Sequence, residues 1–383
     1  MASVKSHWLF APSKDFFEFN LKYLTYLGLW PKEDWSKPQR FLFEIYSMTL
    51  SVFEGVFLIL TSIGTYNCKN DITALLTNLD KILVVYNFVM KALIFFIKRK
   101  QIKILIDEIK HSKDEITMSR NRMMSVHVVV ISVLVISIVS AFSLLATYKQ
   151  EMTIEAWMAF DPLIDKKHLI LASLILAVLF VPCACRAMAI QGIVCSILMY
   201  LCDQLIELQI RIRALDYRPE THKQMRVDFN EVIKKHVRLI GRFFRYSNTL
   251  RAIFKEYFLF QNLAVTVELC FNAMMVTMVG FKEKTLLLTF FAYLSVALLN
   301  SYIYCFLADE LIVQSQGIAL AAYESQWTTW PVELQKDILI IILVAQRPLT
   351  LSAGGMATMS IQTFGQTLYN GYSIFAVLSD VVD

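Results

Sequence analysis

Apolar residues come in long blocks along this chain, and seven of the blocks reach the roughly 20 residues that a membrane-crossing helix needs. They lie at about 41–64, 74–97, 126–148, 168–200, 256–280, 284–307 and 355–379. The first contains Glu54, and the second Asp80, Lys81 and Lys91, so both are interrupted by charge. The third, rich in Val, Ile and Ser, is clean. Pro182 lies in the over-long fourth block and predicts a kink or a tilted helix running past the lipid. Between the fourth and fifth blocks the charged stretch 203–255 keeps helical spacing. Leu205, Leu208, Ile212 and Leu215 share one side, a break is expected near Arg218-Pro219, and Val227, Val232, Ile233, Val237, Ile240 and Phe244 follow. This pattern predicts helices projecting from the membrane into the cytoplasm.

Beyond the sixth block, 309–330 mixes polar and apolar residues, and Pro331 is placed to open a helix through Gln346. Glu333 suits the dipole of its first turn, and Arg347-Pro348 stops it. Leu334, Ile338, Ile341, Ile342 and Ala345 give it an apolar face. Such a helix either ties subunits together beneath the membrane or lies on lipid. With only Lys336 and Arg347 as basic residues, the first reading is favoured.

The last block carries a polar seam. Gln362, Gln366, Asn370, Ser373 and Asp380 fall within about 80° of arc when each residue advances ~100° around a helix. Polar groups in hydrocarbon must face protein or water. The stripe by itself leaves two readings open: a water path shared by several copies, or hydrogen bonding between helices of one subunit.

Composition turns these blocks into a class. The chain of 383 residues is 56% hydrophobic and only 18% charged, which excludes an ordinary soluble domain. Scarce Gly (11) and Pro (8) fit neither a linker-rich chain nor a β-barrel. The expected class is an all-α membrane protein with seven transmembrane helices. Lys and Arg set its orientation: with the amino terminus inside, cytoplasmic segments hold 28 basic residues and outside segments hold 5. The carboxyl terminus is then extracellular, the reverse of a G-protein-coupled receptor. The expected organisation is a cytoplasmic segment 1–40, a six-helix bundle 41–307 with cytoplasmic extensions at 201–255, anchor helices 308–354, and the seventh helix 355–383. No early stretch has a signal peptide's apolar core, so insertion is expected to start with the first span. The net charge of +5 reflects the cytoplasmic bias and attraction to anionic lipid, not a nucleic-acid surface.

Catalytic and metal chemistry find no support in the pattern. The six histidines form no HExxH pair, and no GxSxG, P-loop or GxGxxG occurs. Cys183-Ala-Cys185 lacks further ligands, and only Cys68 of the seven cysteines sits clearly in an outside loop. No enzyme activity, cofactor or disulfide framework is therefore expected. Among ionisable residues inside spans, Glu54, Lys91, Arg186 and Glu268 stand out. Arg186 must reach a carboxylate, backbone carbonyls or an aqueous cavity, in a structural or a functional role. Lys91 and Glu268 are expected to be structural. A ligand pocket is sketched by residues in the outer halves of the spans: Leu83, Tyr86, Asn87, Ser137, Ser140, Phe142, Phe180, Phe290 and Tyr293. Apolar walls with a few hydroxyls suit a small volatile organic ligand held by dispersion and shape. Ordinary packing uses the same residue types, so both readings stand at each position.

The carboxyl-terminal third resembles the insect odorant receptor family. The resemblance rests on Tyr304-Cys305-Phe306, Asp309-Glu310-Leu311, Ser315, Tyr323 and Trp327. It continues through Gln346-Arg347-Pro348-Leu349, Gly354-Gly355, Ser360, Thr363-Phe364, Leu368, Tyr372-Ser373, Phe375 and Val377-Leu378. Thr363-Phe364 departs from the gustatory-receptor pattern, which favours the odorant branch. The resemblance implies seven spans with an intracellular amino terminus in the plasma membrane of a sensory dendrite. It also implies a tetrameric, ligand-gated, non-selective channel for monovalent and divalent cations, assembled with a shared co-receptor subunit. The stretch 203–255 is too short for the co-receptor's insertion, so the chain resembles an odour-tuning subunit. By position in the family, Val377 matches the pore constriction, Val381 lies one turn on, and Asp380 adds charge at the outer mouth. The rival classes are a G-protein-coupled receptor, a gustatory-type receptor and a transporter.

Overall fold

Several of the apolar blocks begin at side chains that satisfy the first free backbone N–H groups of a helix. Ser36 and Gln39 form a capping box at the start of α2 (Lys37–Asn67). Asp71 accepts from the Ala74 amide at 3.0 Å to start α3 (Ile72–Lys110). Asp165 accepts from the His168 amide at 2.8 Å to start α5 (Lys166–Arg213), and this hydrogen bond, with that of the imidazole, holds its carboxyl below the usual range. The other helices are α1 (Glu18–Tyr26), α4 (Met118–Lys149), α6 (His222–Val279), α7 (Lys284–Glu324), α8 (Val332–Ala345) and α9 (Ile361–Val382). This computed structural model describes residues 17–112, 118–215, 222–279, 284–353 and 357–382. The Arg218-Pro219 break and Gly354-Gly355 lie outside the described residues.

The architecture is all-α; the described residues form seven helices of 22 residues or more (α2–α7 and α9) and one two-residue antiparallel β pair, Ser352–Ala353 with Ala357–Thr358. Four described stretches are long and apolar enough by composition to cross a membrane: Lys37–Asn67, Val128–Lys149, Lys166–Arg213 and Leu294–Glu324. In α3 and α9, charges or the polar seam dilute the hydropathy, and in α6 the described apolar part is the shorter Phe258–Met274. Several helices overrun the apolar blocks. α3 continues past 97, α6 runs unbroken through 255 as one helix of 58 residues, and α7 passes 307 without a turn. α5 also continues through Pro182.

The core is uneven. From Arg186 to Leu205 every residue of α5 is buried. This all-round burial makes it the axis of the large inner core shared with α1, α3, α6, α7 and α8. Two smaller clusters occupy the other end of the bundle, around Phe88 and Val135 and around Phe57 and Ile154. Where the packing is divided, a small cavity opens between the two minor clusters.

Candidate functional site

The loop between α4 and α5 folds over the carboxyl end of α2 and the amino end of α3. Asn78 of α3 drives this: its amide donates to Thr65 Oγ1 (2.7 Å) and to the Glu155 carbonyl (3.1 Å), and its Oδ1 accepts from the Glu155 N–H (2.8 Å). The Trp157 amide donates to the Leu60 carbonyl at 2.8 Å. Gly64 is required where the loop crosses α2, because a Cβ there would overlap the backbone of Glu155 and Ala156. Burial beneath this fold pushes the Glu155 carboxyl up, against the opposing pull of Lys81.

Under the loop lies a small cavity of about 60 Å³ between α2, α3, α4 and α5. Phe57, Val84, Val85, Leu176 and Phe180 form apolar walls, and Val139 and Ser143 close the α4 side. Phe180 packs its ring 5.5 Å from Phe57 and 6.4 Å from Phe88. Polar character comes from Ser143, Thr153, Ser173 and Lys81, whose Nζ donates to the Thr153 carbonyl at 2.7 Å. The Thr153 hydroxyl is buried without a hydrogen-bond partner among the described residues. An unsatisfied hydroxyl in an apolar pocket favours a ligand that brings one polar atom.

Of the residues expected to line a pocket, Phe180 does so. Leu83 is half-buried away from the cavity wall, and Tyr86 is exposed and bonds to Ser62 at 3.0 Å. Asn87 donates to Gln261 Oε1 at 3.0 Å across the α3–α6 contact. Ser137 and Ser140 are exposed on α4. Phe142 lies on α4, and Phe290 and Tyr293 on α7, with side chains outside the described ones. Lys81, Thr153 and Ile154 were not anticipated. Only the charge of Lys81 inside an apolar block hinted at it, and nothing marked the loop pair.

Of the ionisable residues inside the spans, Glu54, Lys91, Arg186 and Glu268 are all buried. Arg186 is 1% exposed and ties three segments together. It donates to the Leu27 carbonyl (2.8 Å), the Ser47 carbonyl (3.0 Å), Ser51 Oγ (3.0 Å) and Glu54 Oε1 (3.2 Å). Gly28, with φ of 73°, lets the chain turn against this guanidinium. Lys91 sits over the Phe88 ring at 5.7 Å, and Asn272 on α6 bonds both Asp80 (3.3 Å) and the Glu268 carbonyl (2.8 Å).

The second feature is α9. Gln362, Gln366, Asn370 and Val377 are exposed, Val377 at 64%, and Ser373 is half-buried. Gln366 donates to Asn370 Oδ1 (2.9 Å) and Ser373 to the Tyr369 carbonyl (2.9 Å), so both bonds stay within α9. Gly371, on the opposite side of the helix, is buried against Leu269 of α6. The seam thus faces away from the rest of the chain. Asp380 and Val381 lie on α9 with side chains outside the described ones. The residues that carry the family resemblance form the joint leading into this helix. Asp309 accepts from the Ile361 amide (3.3 Å), Ser315 from the Leu349 amide (3.0 Å) and Ser360 from the Thr363 amide (3.1 Å). The Tyr302 ring of α7 meets Phe364 edge-on at 5.6 Å.

A family model described as 7tm Odorant receptor matches residues 71–372. Odorant receptor 30a of Drosophila melanogaster is 28% identical over 174 residues, 45% of this chain and 44% of that protein. Odorant receptor 49a of the same insect is 31% identical over 166 residues, 43% of this chain and 40% of that protein. These matches therefore span less than half the length of the curated relatives. The insect olfactory receptor OR5 from Machilis hrabei overlays with a TM-score of 0.75 at 16% identity, covering 95% of this chain and 97% of that one. Its structure in complex with eugenol gives 0.73 at 17% identity, over 96% and 100% of the two chains. Likeness at such identity shows the fold.

Proposed function

Because the chain belongs to the 7tm odorant receptor family, whose model matches residues 71–372, we propose that it is an odour-tuning subunit of a ligand-gated cation channel. The observation that carries this reading is the outward-facing polar seam of α9 on a helix whose back is packed against α6. Exposed amides in hydrocarbon are costly, and several copies around a water path would hydrate them. Val377 projects from the middle of the seam, where an apolar ring blocks ions by dewetting. Asp380 and Val381 would sit toward the outer mouth.

The ligand is a small, largely apolar molecule held in the outer cavity by Phe57, Val85, Leu176 and Phe180, with Thr153 as its polar contact. It opens the pore only by binding the open arrangement more tightly than the closed one. Leu83, Tyr86, Asn87, Ser137, Ser140, Phe142, Phe290 and Tyr293 then act around this cavity rather than all within it. The amino terminus is cytoplasmic and the carboxyl terminus extracellular, in line with the basic bias of the loops. α8 buries Leu334, Ile338, Ile341 and Ala345 yet leaves Leu339, Ile340 and Leu343 exposed, which supports its tying subunits together. The partner is the odorant co-receptor.

An odour panel that includes eugenol tests this, with currents recorded from cells expressing the chain alone and beside the co-receptor. Ligand-evoked current is expected with the co-receptor. Phe180→Ala should raise the half-maximal concentration about tenfold or more, the loss of one large apolar contact. Val377→Trp should cut maximal current while surface protein is kept. Undiminished current in Val377→Trp would overturn the constriction assignment.

A further inference from the structure

At the opposite ends of α2 and α3 from the ligand cavity, five cationic side chains gather around one surface cavity of about 200 Å³. Lys32 precedes α2, Arg40 lies in its first turn, and Arg99, Lys100 and Lys103 come from α3. Two carboxylates partly balance them. Lys103 pairs with Glu33 at 2.7 Å and Arg99 with Glu44 at 2.9 Å, while Arg40 donates to the Glu33 carbonyl at 2.8 Å. Three positive charges remain in excess. Arg99 Nη1 is buried and has no hydrogen-bond partner among the described residues, and Lys100 has no ion-pair partner among them. The hydrogen bond and charge of Lys103, helped by Lys110 and Arg40, hold the Glu33 carboxyl below its usual range, as a strongly positive site requires.

The depth of this cavity narrows what fills it. Arg40 directly precedes Phe41 and Leu42, which are 67% and 65% exposed, and Arg99 follows Ile97, which is 69% exposed. These apolar side chains belong to the bilayer-facing surfaces of α2 and α3, so the cations stand at the edge of the hydrocarbon. We propose that the cavity binds the phosphate headgroup of an anionic phospholipid, with Arg99, Lys100 and Lys103 on the phosphate oxygens and the acyl chains lying along Phe41, Leu42 and Ile97. A free phosphate shares the headgroup chemistry but has no use for the apolar surface beside it. Arg99 supplies a planar pair of donors, one of them unused, and Lys100 and Lys103 supply mobile point charges. The proposal does not depend on the channel reading.

The test uses the full-length chain in phosphatidylcholine nanodiscs containing a minor fraction of phosphatidylinositol 4,5-bisphosphate, with bound lipid counted by native mass spectrometry. The wild-type protein should retain the phosphoinositide, and Lys100→Gln/Lys103→Gln should retain roughly 25-fold less, about fivefold per charge removed. Lys100→Arg/Lys103→Arg should retain it as the wild type does. Lys69→Gln, at the other end of α2, should change nothing. Should the double variant unfold through loss of the Glu33 pair, Lys100→Gln alone still reads out a fivefold drop, because that side chain is exposed. Excess inorganic phosphate should leave the bound lipid in place. Equal retention by wild type and Lys100→Gln overturns the proposal, and so does displacement by inorganic phosphate.

Discussion

Arg186 shows how one charge is made tolerable inside a membrane protein. Its guanidinium spends its donors on two backbone carbonyls, a hydroxyl and Glu54, so each partner depends on the others. Arg186→Met leaves the Glu54 carboxylate buried and alone, and a loss of about 3–5 kcal/mol is expected. Thermal unfolding in detergent and surface density should both fall, and Arg186→Met/Glu54→Gln should recover much of the difference. A single variant as stable as the wild type would contradict this. His236 of α6 poses the opposite problem. It is buried and shares a cavity wall with Ser315 and Leu349, and burial lowers its pKa to about 4. The unfolded chain takes up this proton near pH 6.5 and the folded chain only near 4, so stability should fall as pH drops through that window. The full effect is about 3 kcal/mol. The difference between wild type and His236→Asn, followed by thermal shift between pH 7 and pH 4, isolates it. Parallel curves would contradict the assignment.

Among the elements, α9 makes the sharpest demand on its sequence, because its two faces have different tasks. A Cβ at Gly371 would stand 2.9 Å from the Leu269 Cβ and nearer still to its Cδ1, whereas one at Gly365 meets nothing within 4 Å. Gly371→Ala should therefore destabilise by about 1–3 kcal/mol, and Gly365→Ala should be neutral or stabilising through helix propensity. Thermal unfolding of the two variants side by side checks this contrast, and equal effects would contradict it. The contrast between α9 and α4 also explains what the sequence made legible. Polar residues on an apolar helix mark a face, so the α9 seam is readable from spacing. α4 is apolar almost all round, and nothing in its pattern says that Val139 and Ser143 turn inward while Ser137 and Ser140 turn out. On α3 the cavity takes Lys81, Val84 and Val85 because neighbouring helices set its rotation. Hydropathy located all seven long helices. It missed their ends, because α3, α6 and α7 continue wherever packing, not lipid, buries their apolar side. The Thr153-Ile154 wall depends on Asn78 clasping the loop from 77 residues away, a tertiary contact without a local signature.

At the scale of the whole molecule, packing differs between the two ends of the bundle. The core around α5 is large and continuous, while the end under the α4–α5 loop is divided into smaller clusters around the cavity. Elements that move are drawn from regions with few buried contacts, so on the proposed channel reading the divided end is where ligand binding and opening belong. Asp309 and Tyr302 fix the root of α9 to α7, and Ser315 holds the Leu349 segment that leads toward it. On the proposed channel reading, bending of the far part of α9 about that root would widen the ring proposed at Val377. What remains decisive is whether the polar seam lines the ion path. Cysteines introduced singly at Gln366, Asn370 and Gly365, and at Thr367 on the packed side, should be challenged with a charged thiol reagent while odour-evoked current is recorded beside the co-receptor. Block is expected at Gln366 and Asn370, faster with ligand present, and none at Thr367. Equal reactivity around the helix, or modification of Gln366→Cys and Asn370→Cys without any change in current, would contradict the pore reading.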